Sequence, residues 1–228
     1  MPNNIDLSLA FNMPPADAVA YFKSKGFAIS DDWHDVYAKA HAKAFTVARM
    51  ANMDLLSAVR NALDDALSQG LTAKQFREQI TPTLQKSGWW GKAQLDNGEF
   101  VQLGSPYRLN NIYRINLQTA YMAGRYCKML ANSSARPYWQ YIPIDDGQTR
   151  ASHLKLKNKV FRFDDPIWQV IYPPNDWGCR CRVRALTAKQ VQERGLVVEN
   201  GAGYINEFDA EVSNKDTGEI KTVPHAKV

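Results

Sequence analysis

Cysteine is scarce in this chain of 228 residues: there are three, Cys127, Cys179 and Cys181. An odd, small set is no disulfide framework, which in a secreted chain takes a larger and even number. Long apolar runs are missing too. No stretch approaches the roughly 20 apolar residues that span a bilayer, so no membrane partner is expected. The first residues, MPNNIDLSLAFNMPPAD, lack the basic start and continuous apolar core of a secretory signal, and the expected setting is the cytoplasm. There is no internal repeat, no low-complexity tract, no glycine-rich phosphate loop and no recognised nucleic-acid-binding motif.

What is present is an ordinary globular composition, 45% hydrophobic and 22% charged, with an uneven charge distribution. Between Arg108 and Arg194 lie 15 Lys and Arg against 6 Asp and Glu, a balance of +9, while the rest of the chain sums to −4. Aromatic residues are interleaved with that basic centre: Tyr138, Trp139, Tyr141, Phe161, Phe163, Trp168, Tyr172 and Trp177. The combination is compatible with a nucleic-acid partner, and equally with a solvated basic face or one that docks on an acidic protein.

The first ninety residues read as helices. Pro14-Pro15 opens a short one that ends at Gly26. Asp31 or Asp32 caps a second, running to about Met50 with Trp33, Val36, Tyr37, Ala40, Ala44 and Val47 on one face. His34 and His41 fall on it without acidic or cysteine partners. Asn52 caps a third helix with Leu55, Leu56, Val59, Leu63 and Leu67 at helical spacing, stopped by Gly70. Thr72 and Gln75 make a capping box for a fourth, which Pro82 should kink or end.

Trp89-Trp90 and DNGEFVQLG read as a loop or small hairpin turning at Asn97-Gly98. Ser105-Pro106 then opens a long helix with a buried stripe of Ile112, Ile115, Thr119, Met122, Tyr126 and Met129. Ala120, Ala123 and Gly124 leave room on it for close packing. Cys127 on the same helix reads as a small buried hydrophobe.

Beyond Arg136-Pro137 the pattern changes to strands and turns. YWQYIPI is a strand, DDG a turn, Thr149 to Leu156 a short helix, Lys159 to Phe163 a strand, and Asp164-Asp165-Pro166 a turn. Cys179 to Val183 reads as a strand beyond the Pro173-Pro174 loop. Thr187 and Gln190 cap a helix ending at Gly195. Hairpin-like strands follow, with a polar end expected to be mobile. The fold class is α+β: an N-terminal helical region (1–104), a compact domain with one long helix and a small, mainly antiparallel sheet (105–195), and a tail (196–228).

One stretch concentrates the chemistry. IDDGQTRASH places Asp145, Asp146, Thr149, Arg150 and His153 in one short run, and YPPNDWGCRCR brings Arg180 between Cys179 and Cys181. On a strand, residues two apart face the same way. Two thiolates so placed, with His153 and one of Asp145 or Asp146, supply a tetrahedral donor set for zinc. A packed structural cluster with a hydrogen-bonded histidine accounts for the same residues. Catalysis by a Cys–His pair, or by a metal-bound Asp–His set, is a third reading, but no oxyanion hole or two-metal carboxylate set accompanies it. Arg150 and Arg180 are read as partners of Asp145, Asp146, Asp164 or Asp165 that stiffen the loops.

The ordered pieces INLQTAYMAGR, WQYIPIDDGQTRASH, KVFRFDD and YPPNDWGCRCRVRAL, between about Tyr107 and Gly195, resemble the phage Mu F-like minor head proteins, also called phage head-morphogenesis proteins. The resemblance implies a non-enzymatic protein assembled in the host cytoplasm, needed in few copies for capsid morphogenesis. It would sit at or near the portal vertex, touch the portal and other head proteins, and stay in the virion with non-specific DNA contact. It also implies that Asp145, Asp146, Thr149, Arg150, His153, Pro173, Pro174, Cys179, Arg180 and Cys181 hold the small domain together, with or without zinc. Related domains are fused to toxins, for which little chain remains beyond Gly195. Two departures stand out: Asn158 replaces a more usual glycine at a tight turn, and Asp176-Trp177 fills a place often held by other residues, histidine among them. The rival functions are a metal-dependent hydrolase or nuclease packaged with the genome, and a DNA-binding packaging module.

Overall fold

The computed structural model describes residues 15–29, 44–95, 98–176, 178–213 and 220–227. These fall into two compact units, Met1–Gly124 and Arg125–Val228. The division lies within the long helix.

In the first unit, helix α1 (Ala16–Ser24) follows Pro15 and gives way to a two-residue strand, β1 (Gly26–Phe27). Strand β1 pairs in parallel with β2 (Ala44–Phe45). This corrects the expected helix to Met50: its last residues are extended, and Arg49 has a left-handed φ of 61° that no helix accommodates. Phe45 is buried with its ring edge-on to Phe22 at 5.9 Å, so tertiary packing overrides the local helical pattern. The rest of that expected helix, with Asp31, Asp32, Trp33, Val36, Tyr37, Ala40, His34 and His41, lies outside the described residues.

Helices α2 (Met53–Gln69) and α3 (Ala73–Lys86) form as their caps require. The Asn52 side chain accepts from the Leu55 amide at 3.0 Å. Gly70 closes α2 with φ 68°, and Thr72 with Gln75 makes both bonds of a capping box. Leu55, Leu56, Val59, Leu63 and Leu67 are all buried against Phe76, Ile80 and Leu84 of α3 in one core. Pro82 does not end α3, which continues to Lys86. The ring and Glu78, one turn earlier, both face solvent, so the carbonyl that loses its donor can bond water.

The hairpin β3 (Lys92–Gln94) and β4 (Phe100–Gln102) is antiparallel. Gly98 takes φ 85° at its turn, while Asn97 lies outside the described residues. The base of the hairpin needs a glycine: a Cβ at Gly104 would lie 2.5 Å from the Trp90 ring and 2.6 Å from the Trp89 carbonyl.

Helix α4 (Pro106–Ala131) runs through both units. Its buried line is Leu109, Asn116, Leu117, Ala120, Gly124 and Met129. Of the expected stripe only Met129 is fully buried; Ile112, Ile115, Thr119, Met122 and Tyr126 are half-buried. The small residues shift the contact line, because α1 packs on them: a Cβ at Gly124 would meet the Ala18 nitrogen at 2.9 Å. Cys127 is exposed rather than buried, being two residues before Met129 and so roughly on the opposite side of the helix.

The second unit is built on a four-stranded sheet in the order β7 (Arg182–Leu186), β5 (Tyr138–Ile142), β6 (Val160–Arg162), β8 (Val198–Glu199). Central β5 is antiparallel to both neighbours, and β8 joins β6 in parallel. With the helices, this makes the chain α+β. Short helices α5 (Ala151–Lys155), α6 (Trp168–Ile171) and α7 (Ala188–Glu193) connect the strands; α6 had no sequence expectation. Thr187 and Gln190 complete the capping box of α7. Strand β9 (Asn206–Ser213) pairs antiparallel with β10 (Ile220–Lys227), so the polar end expected to be mobile contains a strand.

The core of this unit is aromatic. Trp139, Tyr141, Phe161 and Trp168 are buried with Ile167, Ile171 and Val183. Trp139 meets the rings of Tyr126 at 5.6 Å, Trp168 at 5.5 Å, Tyr172 at 6.1 Å and Phe163 at 6.4 Å. The interleaved aromatics of the basic centre therefore serve packing, and Tyr138, Phe163 and Tyr172 are half-buried beside them; Trp177 lies outside the described residues.

Candidate metal centre

Three segments of the second unit converge below α5. The turn after β5 is shaped by Asp146, whose carboxylate accepts from the Gln148 amide at 3.0 Å and the Thr149 hydroxyl at 3.3 Å. This turn leads into α5, which carries His153 inward; the ring is 5% exposed. The segment before β7 brings Cys179 and Cys181, each 3% exposed. Tyr141 on β5 is fully buried beside both thiols and Asn175.

Strand β7 begins at Arg182 rather than Cys179. The two thiols meet because of the loop that precedes the strand, not because of strand alternation. That loop contains the Pro173-Pro174 peptide, which is cis, and two left-handed residues, Asp176 at φ 75° and Gly178 at φ 70°. Asn158, the departure from glycine, holds φ 64° and keeps its turn; asparagine tolerates this region better than most residues.

The donor atoms of His153, Cys179 and Cys181 all lie within 4.8 Å of one another. Cys181 Sγ is 3.5 Å from His153 Nδ1, and no disulfide joins the cysteines. The two thiols divide their protons unequally. Hydrogen bonding from Cys181, and less strongly from His153, draws the Cys179 thiol down, while the same Cys179 bond and burial push Cys181 up. Two soft sulfurs and an imidazole are the donors that suit zinc among the common divalent ions.

The aspartates do not join them. Asp145 is exposed and paired with Lys157. Asp146 is exposed and paired with Arg180 at 2.6 Å, which holds its carboxyl down at about 2. Both acids are thus paired with cations at the surface, and the donor atoms that lie within reach of one another are those of His153, Cys179 and Cys181. Arg180 has the expected role of stiffening the loops. Arg150 has it with another acid, Asp176, at 3.9 Å. Two ion pairs therefore cross between the α5 segment and the cysteine loop.

Sequence reasoning missed Tyr141 and Arg125. Tyr141 looked like one more strand aromatic; only its register next to the thiols marks it. Burial, the largest influence, pushes its hydroxyl up, and the oxygen has no hydrogen-bond partner among the described residues. Arg125 donates twice to the Val183 carbonyl, at 3.2 and 3.0 Å, tying α4 to the sheet.

The family model for Phage Mu protein F like protein matches residues 57–184. The chain belongs to the phage Mu F-like family. The match takes in α2 and α3 as well as the sheet, reaching further towards the N-terminus than the motifs that carried the resemblance. The chain is 47% identical over 221 residues to the putative capsid assembly protein F of Escherichia phage Mu, covering 95% of this chain and 50% of that protein. It is also 47% identical over 192 residues to the Mu-like prophage FluMu F protein of Haemophilus influenzae, covering 84% of this chain and 46% of the relative. The chain thus spans about half the length of the curated relatives it matches. No solved structure matches it. No helix among the described residues is long and apolar enough to cross a membrane.

Proposed function

We propose that this Mu F-like chain is a minor head protein acting in capsid assembly, placed at or near the portal vertex and retained in the virion. The observation that carries this reading is the 47% identity, across 95% of the chain, to a protein named for capsid assembly in phage Mu. The site supports a role through contacts rather than turnover. Its three members are buried and contain no carboxylate, whereas a hydrolase needs a path by which its substrate reaches the reacting groups. Portal and neighbouring head proteins are the partners in this reading.

Deleting the coding sequence from the phage or prophage that carries it tests the proposal. Loss of DNA-filled heads is expected in electron micrographs, and mass spectrometry of wild-type particles should find the protein in few copies per head. Normal heads from the deletion, or purified particles without the protein, would refute it.

A further inference from the structure

We propose that His153, Cys179 and Cys181 bind one zinc ion, with a water molecule in the fourth position beside Tyr141, and that the ion pins α5 to the loop before β7. Tetrahedral zinc with bonds of roughly 2.0–2.3 Å sets its ligand atoms about 3.3–3.8 Å from one another. The Cys181–His153 separation of 3.5 Å already falls there. With all donors within 4.8 Å, small side-chain rotations close the remainder.

Four further features favour the ion over plain packing. Packed thiols alone leave the His153 ring buried with a weak sulfur contact, whereas zinc uses its lone pair. The Tyr141 hydroxyl is an independent pointer. It is buried next to both thiols and Asn175, with no hydrogen bond of full geometry among the described residues, and a poorly paired buried hydroxyl is costly. A zinc-bound water supplies its missing partner. Charge also balances, since two thiolates neutralise the ion and leave Asp145 and Asp146 free to pair with Lys157 and Arg180. The chelate joins segments separated by the 25 residues between His153 and Cys179, a loop whose closure restrains the unfolded chain.

Zinc binding is independent of the head-assembly reading, because its test reads metal and not particles. The full chain, purified without chelator, is expected to carry one zinc per molecule by inductively coupled plasma mass spectrometry. Stripping it should lower the melting temperature, and equimolar zinc should restore it. Cys127→Ser retains the metal, as does His153→Cys, which offers an alternative ligand. His153→Ala and the Cys179→Ser/Cys181→Ser pair lose it by more than tenfold in affinity. Since those variants can fail to fold, cobalt substitution of the unaltered protein gives a second measurement: thiolate-to-cobalt charge-transfer bands and the intense visible bands of a four-coordinate site are expected. Protein that takes up no equimolar zinc overturns the proposal, as does cobalt bound without thiolate bands, or zinc retained undiminished by a folded double serine variant.

Discussion

Replacing Trp139 with phenylalanine is expected to change stability by less than about 1 kcal/mol, although the residue is fully buried at the centre of the second core. Shrinking indole to phenyl removes roughly 40 Å² of apolar surface, worth about 1 kcal/mol at about 25 cal/mol per Å². The void left behind, roughly 40 Å³, adds about 1 kcal/mol at about 24 cal/mol per Å³. Against this, Trp139 Nε1 is buried with no hydrogen-bond partner among the described residues. Removing an unsatisfied donor returns about 1–3 kcal/mol, so the two effects nearly cancel. Trp139→Ala has no such balance. It forfeits the contacts with Tyr126, Phe163, Trp168 and Tyr172 together and should cost about 3–5 kcal/mol. Urea unfolding followed by far-ultraviolet circular dichroism separates the variants without relying on the altered tryptophan. A phenylalanine variant as unstable as the alanine variant would show that the indole N–H has a partner and refute the reasoning.

Two pH effects follow from the charged groups. Asp146 has its carboxyl lowered from 3.8 to about 2, chiefly by its hydrogen bond with Arg180; the contribution to stability is therefore complete above pH 4 and lost as pH falls through about 2. Thermal melts between pH 5 and 2 should show a shallower acid limb in Asp146→Asn, and an unchanged limb would argue against the ion pair. Lys25 is buried, which lowers its amine from 10.5 to about 8. Between those values the unfolded chain binds more protons, so stability should rise as pH goes from 8 to 10.5. The cost at neutral pH is on the order of 3 kcal/mol, and Lys25→Met should recover it and flatten that rise; a variant that keeps the slope would place the titration elsewhere.

Local chemistry was legible in the sequence and non-local packing was not. Asn52, Thr72 with Gln75, Thr187 with Gln190, and Gly70 mark helix ends that form as expected, because each cap is satisfied within a few residues of chain. The segment at Ala44–Phe45 went wrong for the opposite reason: its extended form depends on β1, some eighteen positions earlier, and on the Phe22 ring. The stripe on α4 was misplaced among its large side chains, while the close packing expected at its small residues is met at Gly124, where the α1 backbone approaches.

The candidate site shows the same division within a few residues. Its membership, His153 with Cys179 and Cys181, could be read from residue type. Its geometry could not, since the thiols lie in the loop of left-handed Asp176 and Gly178 that precedes β7 rather than on a strand. The fate of the acids follows from charge placed nearby. Lys157, one turn beyond His153, takes Asp145, and Arg180, between the two cysteines, takes Asp146. A cation interposed between two buried thiols cannot itself enter the buried group without an unpaired charge, so it turns outward and pairs with the aspartate. The Cys-Arg-Cys pattern thereby places the two thiols inward beside His153 and leaves the carboxylate at the surface, where the zinc site we propose does not use it.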